Sequence, residues 1–343
     1  MHKKVNLDFL IPVSGILLFL ILPGSAATGA RAGLRLCGEL LIPALLPISV
    51  LAGCLVQMGG SSPIPRPAIR FMEAAFSASG ACASAFLLGQ LGGFPLGAQL
   101  IAGLYREGRI GKAEAEQISA FCNNAGPAFL IGTAGVCLGS PFAGAALLVI
   151  QVLATVSAGL LLRKRIGTVS GRVQPPSQRL SFSQALPRAI GSSAGAMLRL
   201  TGAVVFFQAF LSCLKSLLPL NQLSGLARAG LTGALELSGG FSALQNAGGN
   251  LLFPLAAALV NWGGLCVHLQ AAEALGSAGL SVKPYLRGKL TQACFGWVYG
   301  GLYAILQRAI GICSLPFLFF ALFLFGFFLF LKNRHWKTEK AVL

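Results

Sequence analysis

Charge is what this sequence has least of. Only 10% of its 343 residues are charged and only 9 are Asp or Glu, against about 25% charged in a soluble globular domain. Together with a 55% hydrophobic composition and a mean hydropathy of +0.76, that shortage excludes a soluble domain and marks a polytopic membrane protein. The chain also lacks any Asp-rich, G-x-S-x-G or H-E-x-x-H motif. No nucleophile, base and orienting group can be named together, so no enzyme is expected. Its nine cysteines form no C-x-x-C pair and lie almost all in apolar stretches, which reads as small core hydrophobes rather than disulfides or metal ligands.

The charge that is present is basic, 26 Lys and Arg for a net +17. In a membrane protein such an excess collects in cytoplasmic loops. The lipid bilayer is therefore the expected partner and nucleic acid is not.

One stretch organises the rest. Gly89 to Ala98, G-Q-L-G-G-F-P-L-G-A, interrupts an apolar run with four glycines, a proline and an amide. Backbone freed by a broken helix is tolerated at membrane depth only where protein or a water-filled cavity satisfies it, so this stretch should line something. The apolar arms, Ser79 to Leu88 and Leu96 to Tyr105, are each about half a membrane span at helical rise. The pattern predicts a re-entrant hairpin over 79–105 with its tip near Gly93-Phe94-Pro95.

Along the chain, residues 1–35 read as a first transmembrane span and an amphipathic approach. The basic start, apolar run and small residues Gly24 to Ala27 also suit a cleaved secretory signal, and the charge rule downstream favours the uncleaved span. Residues 36–166 form a first repeat: a span at Leu40 to Val56, the hairpin, and a helix over 113–139 broken at Asn123-Asn124-Ala125-Gly126-Pro127, followed by a span at Pro141 to Leu162. A polar linker over 167–188 joins it to a second repeat over 189–331. That repeat carries an approach at Ala189 to Leu198, a span at Leu200 to Leu218, a hairpin over 221–250 and a helix over 251–275 broken at Asn261-Trp262-Gly263-Gly264. Lys283, Arg287 and Lys289 read as a cytoplasmic loop before spans at Leu290 to Ile310 and Cys313 to Leu331. The tail, 332–343, is basic.

Both termini and every basic loop fall in the cytoplasm if neither hairpin crosses. The expected fold is an all-α polytopic membrane protein of two inverted-topology repeats, each with a re-entrant hairpin and a broken transmembrane helix, the plan of secondary transporters with a midplane site.

Broken helices offer dipole ends for an anion and free carbonyls for a cation. The candidate substrate-binding residues are Gln90, Gly92, Gly93 and Phe94 at the first hairpin, Asn123 and Asn124 at the first break, Glu236 and Ser238 at the second hairpin, and Asn261, Gly263 and His268 at the second break. Glu236 is the one acid in the set, and an intramembrane carboxylate is by default a functional hypothesis. A lone histidine such as His268 is more often structural than a ligand or proton carrier. No metal site is expected, and no cofactor beyond a coupling cation, Na+ or H+.

At these residues the chain resembles a known family. The run GGFPLGAQLIAGLYREGRIGKAEAEQISAFCNNAGPAFLIGTAGV, Gly92 to Val136, is similar to the nucleoside-recognition Gate segment of sporulation integral membrane proteins of the YlbJ (SpoVV) type, with LELSGG at Leu235 to Gly240 and NWGGLCVHLQ at Asn261 to Gln270 matching their second half. The resemblance runs from about Leu36 to Leu331. It is distantly similar to concentrative nucleoside transporters, and implies a carrier passing dipicolinic acid from the mother cell across the outer forespore membrane, located there or in the bacterial cell membrane. Nucleoside carriers hold an acid in the first hairpin where this chain has Gly92. The readings to be separated are an organic-anion transporter, a nucleoside or related carrier, and a non-transporting structural protein of the spore envelope. A homo-oligomer is left open.

Overall fold

The computed structural model describes residues 7–58, 66–163, 180–218 and 222–310. The expected span at 313–331, the tail and most of the 167–188 linker lie outside the described residues.

Every element among the described residues is helical. Helix α1 (Leu7–Ile21) bends by 101° at Leu22 into α2 (Pro23–Leu36), which runs through a π-helical turn, Cys37–Leu41, into α3 (Ile42–Gln57). Then come α4 (Arg66–Phe76), the pair α5 (Cys82–Gly92) and α6 (Leu96–Arg106), and α7 (Lys112–Cys122). After an open stretch at 123–126 a π-helical segment, Ala128–Ala134, continues into α8 (Gly135–Cys137). Helix α9 (Pro141–Leu162) and the 36-residue α10 (Phe182–Leu217) follow. The second half holds α11 (Gly225–Leu235), α12 (Leu237–Leu244), α13 (Leu252–Trp262), α14 (Leu265–Gly276) and α15 (Lys283–Ile310).

Among the described residues three helices are long and apolar enough to cross a membrane: α9, α10 and the α13–α14 run Leu252–Gly276. The bent α1–α2 pair makes a fourth if it is one span. Large apolar side chains such as Leu198, Leu161, Ile305 and Val298 stand exposed on the outside, as a lipid-facing surface requires.

One expectation is corrected here. The separate approach (Ala189 to Leu198) and span (Leu200 to Leu218) are one helix, α10, about 54 Å long at 1.5 Å per residue. It starts at a capping box in which Gln184 Oε1 accepts the Ser181 N–H at 3.2 Å. The amphipathic approach expected within residues 1–35 is α2, which lies along α10. Gly29 and Gly33 make that possible, since a Cβ at either would strike the α10 backbone around Gln208, Ala209 and Val205.

Besides a small patch around Cys54, Ala185 and Ala189, the described core has two large apolar patches. One joins Phe129, Leu147, Phe207, Phe241 and Val260, the other Phe76, Phe86, Ile118, Phe121 and Tyr285. Between them runs a seam of buried polar residues, Asn123, Asn124, Gln151, Lys289 and Gln292, all 0% exposed. That seam places the candidate site.

Candidate functional site

Helices α5 and α6 meet at a turn over Gly93, Phe94 and Pro95, with Leu96 N–H bonded to Gly93 O at 3.0 Å. The pair straddles the end of α7: a Cβ on Gly89 or Gly97 would collide with the Cys122 carbonyl. Only glycine at those two positions lets the turn reach the break that follows Cys122. At its tip, a Cβ on Gly93 would come within 2.9 Å of the Gly126 nitrogen, so the turn and the break touch backbone to backbone.

Part of the break's freed backbone is bonded by side chains. Gln151 on α9 accepts the Ala125 N–H at 3.1 Å and donates to the Ala125 carbonyl at 2.9 Å, a side-chain amide standing in for the missing helical partners. Asn124 Nδ2 donates to Phe121 O at 2.8 Å. The Asn123 side chain makes no hydrogen bond within 3.5 Å and has the Tyr285 hydroxyl for a neighbour.

Lys289 was expected in a cytoplasmic loop. It instead lies within α15, fully buried, with Nζ 3.2 Å from Asn123 O, 3.2 Å from Asn124 Oδ1 and 2.9 Å from Gln292 Oε1, and 5.3 Å from the centre of the Phe94 ring. The cause is local. A Cβ on the preceding residue, Gly288, would collide with the Ala120 carbonyl, so α15 presses flat on α7 there and carries the ammonium into the break. Basic residues mark loops only when nothing inside the bundle can satisfy them.

In the second half Glu236 separates α11 from α12. Its carboxylate accepts the Ser238 N–H at 2.9 Å and the Gly239 N–H at 2.7 Å, and takes a third bond from Gln208 Nε2 on α10 at 2.9 Å. It is the N-cap of α12, anchored to the long helix. Gly263 and Gly264, at φ +91° and +85°, turn α13 into α14. A Cβ on Gly263 would meet the Phe94 ring at 3.0 Å, and one on Gly264 would meet Leu237 N at 3.2 Å.

The four stretches therefore converge. A small cavity of about 50 Å³ is lined by Gly93 and Phe94, Ala125 and Gly126, Glu236 and Ser238, and Cys266 and Val267. At that size it has room for a few water molecules at most. A second opening of about 310 Å³, lined by Pro95, Gln99, Arg106, Arg199, Gln270 and Glu273, lies on the other side of the turn, and Leu200 borders both.

The remaining candidates lie around this cavity rather than on it. Gly92 packs on Leu96, and the Gln90 amide is buried without a hydrogen bond. Asn261 is turned to α15, donating to Ala257 O at 2.9 Å beside Gly296. His268 is held by Tyr285 (Nδ1 to the hydroxyl, 3.0 Å) and by the Trp262 ring, with Nε2 unbonded. Reading the sequence missed Lys289, Gln292 and Gln151. The available signal was the amide inside the apolar α9 run and the i, i+3 spacing of Lys289 and Gln292.

Among the described residues no group of three or more His, Cys, Asp or Glu side chains could hold a metal ion. The fold and this buried polar seam define an all-α polytopic integral membrane protein. The chain is similar to the sporulation integral membrane protein YlbJ of Bacillus subtilis (strain 168), 22% identical over 314 residues that cover 81% of this chain and 77% of that protein. It is a homologue of that protein, and the likeness to YlbJ-type sporulation membrane proteins drawn from the motifs stands. No protein-family model matches the chain, and no solved structure does.

Proposed function

We propose that the protein is a secondary transporter of a small organic anion, with dipicolinate, leaving the mother cell across the outer forespore membrane, as its substrate. The observation that carries this is Lys289. Its amino group is fully buried beside the break at Asn123 and Asn124, with no carboxylate within 4.0 Å among the described residues. A buried charge without a counter-ion is costly, and a bound dianion would supply the missing negative charge at the Phe94 turn. Glu236 does not compete for that role, because its oxygens already serve α12 and Gln208. Helix α14 begins at Leu265, beside the cavity-lining Cys266 and Val267, and adds the positive end of its dipole.

In this reading the two halves are inverted repeats, α5–α6 with the broken α7 and α11–α12 with the broken α13–α14. The 50 Å³ cavity is the closed form, which the Phe94 turn opens by moving away from Gly126 and Gly263. The homologue, a sporulation integral membrane protein by name, agrees with that setting. A nucleoside substrate is disfavoured by Gly92, where no acid is available to grip a ribose.

The test is uptake of labelled dipicolinate by proteoliposomes containing the purified chain, challenged with unlabelled dipicolinate or uridine. Competition by dipicolinate alone supports the proposal; competition by uridine alone assigns a nucleoside carrier; no uptake of either leaves a structural role in the spore envelope.

A further inference from the structure

An ammonium group has three N–H donors and no acceptor, and Lys289 Nζ has three oxygens around it. One is the Asn123 carbonyl at the break, freed from helical bonding; the others are the amide oxygens of Asn124 and Gln292. Both amides are oriented by a second bond. Asn124 Nδ2 donates to Phe121 O at 2.8 Å and Gln292 Nε2 to Ala120 O at 3.0 Å, so each must present its oxygen to the nitrogen of Lys289. The face of Phe94 closes the fourth side at 5.3 Å, a cation–π contact. A carbonyl freed at a helix break is the kind of oxygen by which discontinuous helices hold a coupling cation, and here two oriented amide oxygens complete the set.

We propose that this oxygen set is a monovalent-cation site whose occupant is the tethered ammonium of Lys289, so that the first helix turn is locked to the break without a sodium ion and the protein works independently of sodium. With all three donors engaged, Lys289 supplies charge to the cavity and no hydrogen bond to a substrate. It also couples three elements at one point, since the oxygens belong to the 123–124 break and to α15 and the ring belongs to the α5–α6 turn. The role in coupling rests on the transport reading above; the cation site does not.

The experiment is thermal melting of the purified full-length chain in detergent, in sodium chloride and in choline chloride at equal ionic strength. The wild type should melt at the same temperature in both salts. Lys289→Ala, which empties the site, should melt several degrees lower in choline and regain at least half of that loss in sodium. Lys289→Met, which fills the space without a charge, should melt lower by the same amount in both. A wild type stabilised by sodium over choline, or a Lys289→Ala variant that sodium does not restore, overturns the proposal. Should Lys289→Ala fold in neither salt, the wild-type arm decides on the same terms. Melting requires no substrate, so a chain inert towards dipicolinate can still pass this test and a dipicolinate transporter can fail it.

Discussion

The ring of Phe94 rests against the α-carbon of Gly263, 169 positions further along the chain, so closely that a Cβ there would come within 3.0 Å of it. The contact joins the first helix turn to the second helix break. It makes Gly263→Ala the sharpest test of the packing, because the residue also holds φ +91°. The substitution should lower stability by about 1–3 kcal/mol, read as a lower melting temperature in detergent, while Gly191→Ala, with nothing within 4 Å of its Cβ, should be neutral or slightly stabilising.

Gln151 should be required for folding rather than for recognition. Replacing it by Leu leaves the Ala125 N–H and carbonyl buried and unbonded, at about 1–3 kcal/mol each. Thr155, one turn further along α9, is equally buried but its hydroxyl makes no hydrogen bond. Thr155→Val should therefore leave the melting temperature nearly unchanged, and a comparable loss in both variants would show that the amide is not what matters.

The bond between Gln208 and Glu236 ties the second helix pair to α10. A double-mutant cycle with Gln208→Ala and Glu236→Ala should give a coupling of about 1–3 kcal/mol in denaturation, within the range for residues sharing one hydrogen-bond network. Additive losses would mean that Glu236 acts only as the cap of α12.

Arg106 and Arg199 both border the 310 Å³ opening and are exposed at the surface of the bundle. If anions enter there, Arg199→Glu should raise the KM for dipicolinate uptake by about tenfold at low salt with little change in kcat, and the effect should shrink as ionic strength rises. A KM unchanged at low salt would place the entrance elsewhere.

Much of this arrangement was readable before any coordinates. Glycine, proline and asparagine clustered inside apolar runs mark the turn at Gly93-Phe94-Pro95 and the breaks at Asn123 and Gly263, because a membrane gives broken backbone no other place to go. Which helices press together was not readable. Lys289 looks like a loop residue until Gly288 is seen to admit the Ala120 carbonyl, and the approach at Ala189 to Leu198 looks separate from the span at Leu200 to Leu218 although α10 runs through both unbroken. Periodicity assigns a residue to a helix face, but the close approach of two backbones depends on a partner far along the chain. Gln151 is a similar case. An amide inside an apolar helix signals a buried polar partner without saying that the partner is Ala125.

The central claim is that an organic anion binds where the helix turn, the two breaks and Lys289 meet. Retention of labelled dipicolinate by the purified protein tests it most directly, comparing the wild type with Asn124→Leu, which removes one oxygen from the ammonium's shell. The account predicts saturable retention by the wild type, displaced by unlabelled dipicolinate and lost in Asn124→Leu although that variant remains folded in the membrane. Equal retention by the two proteins would contradict it.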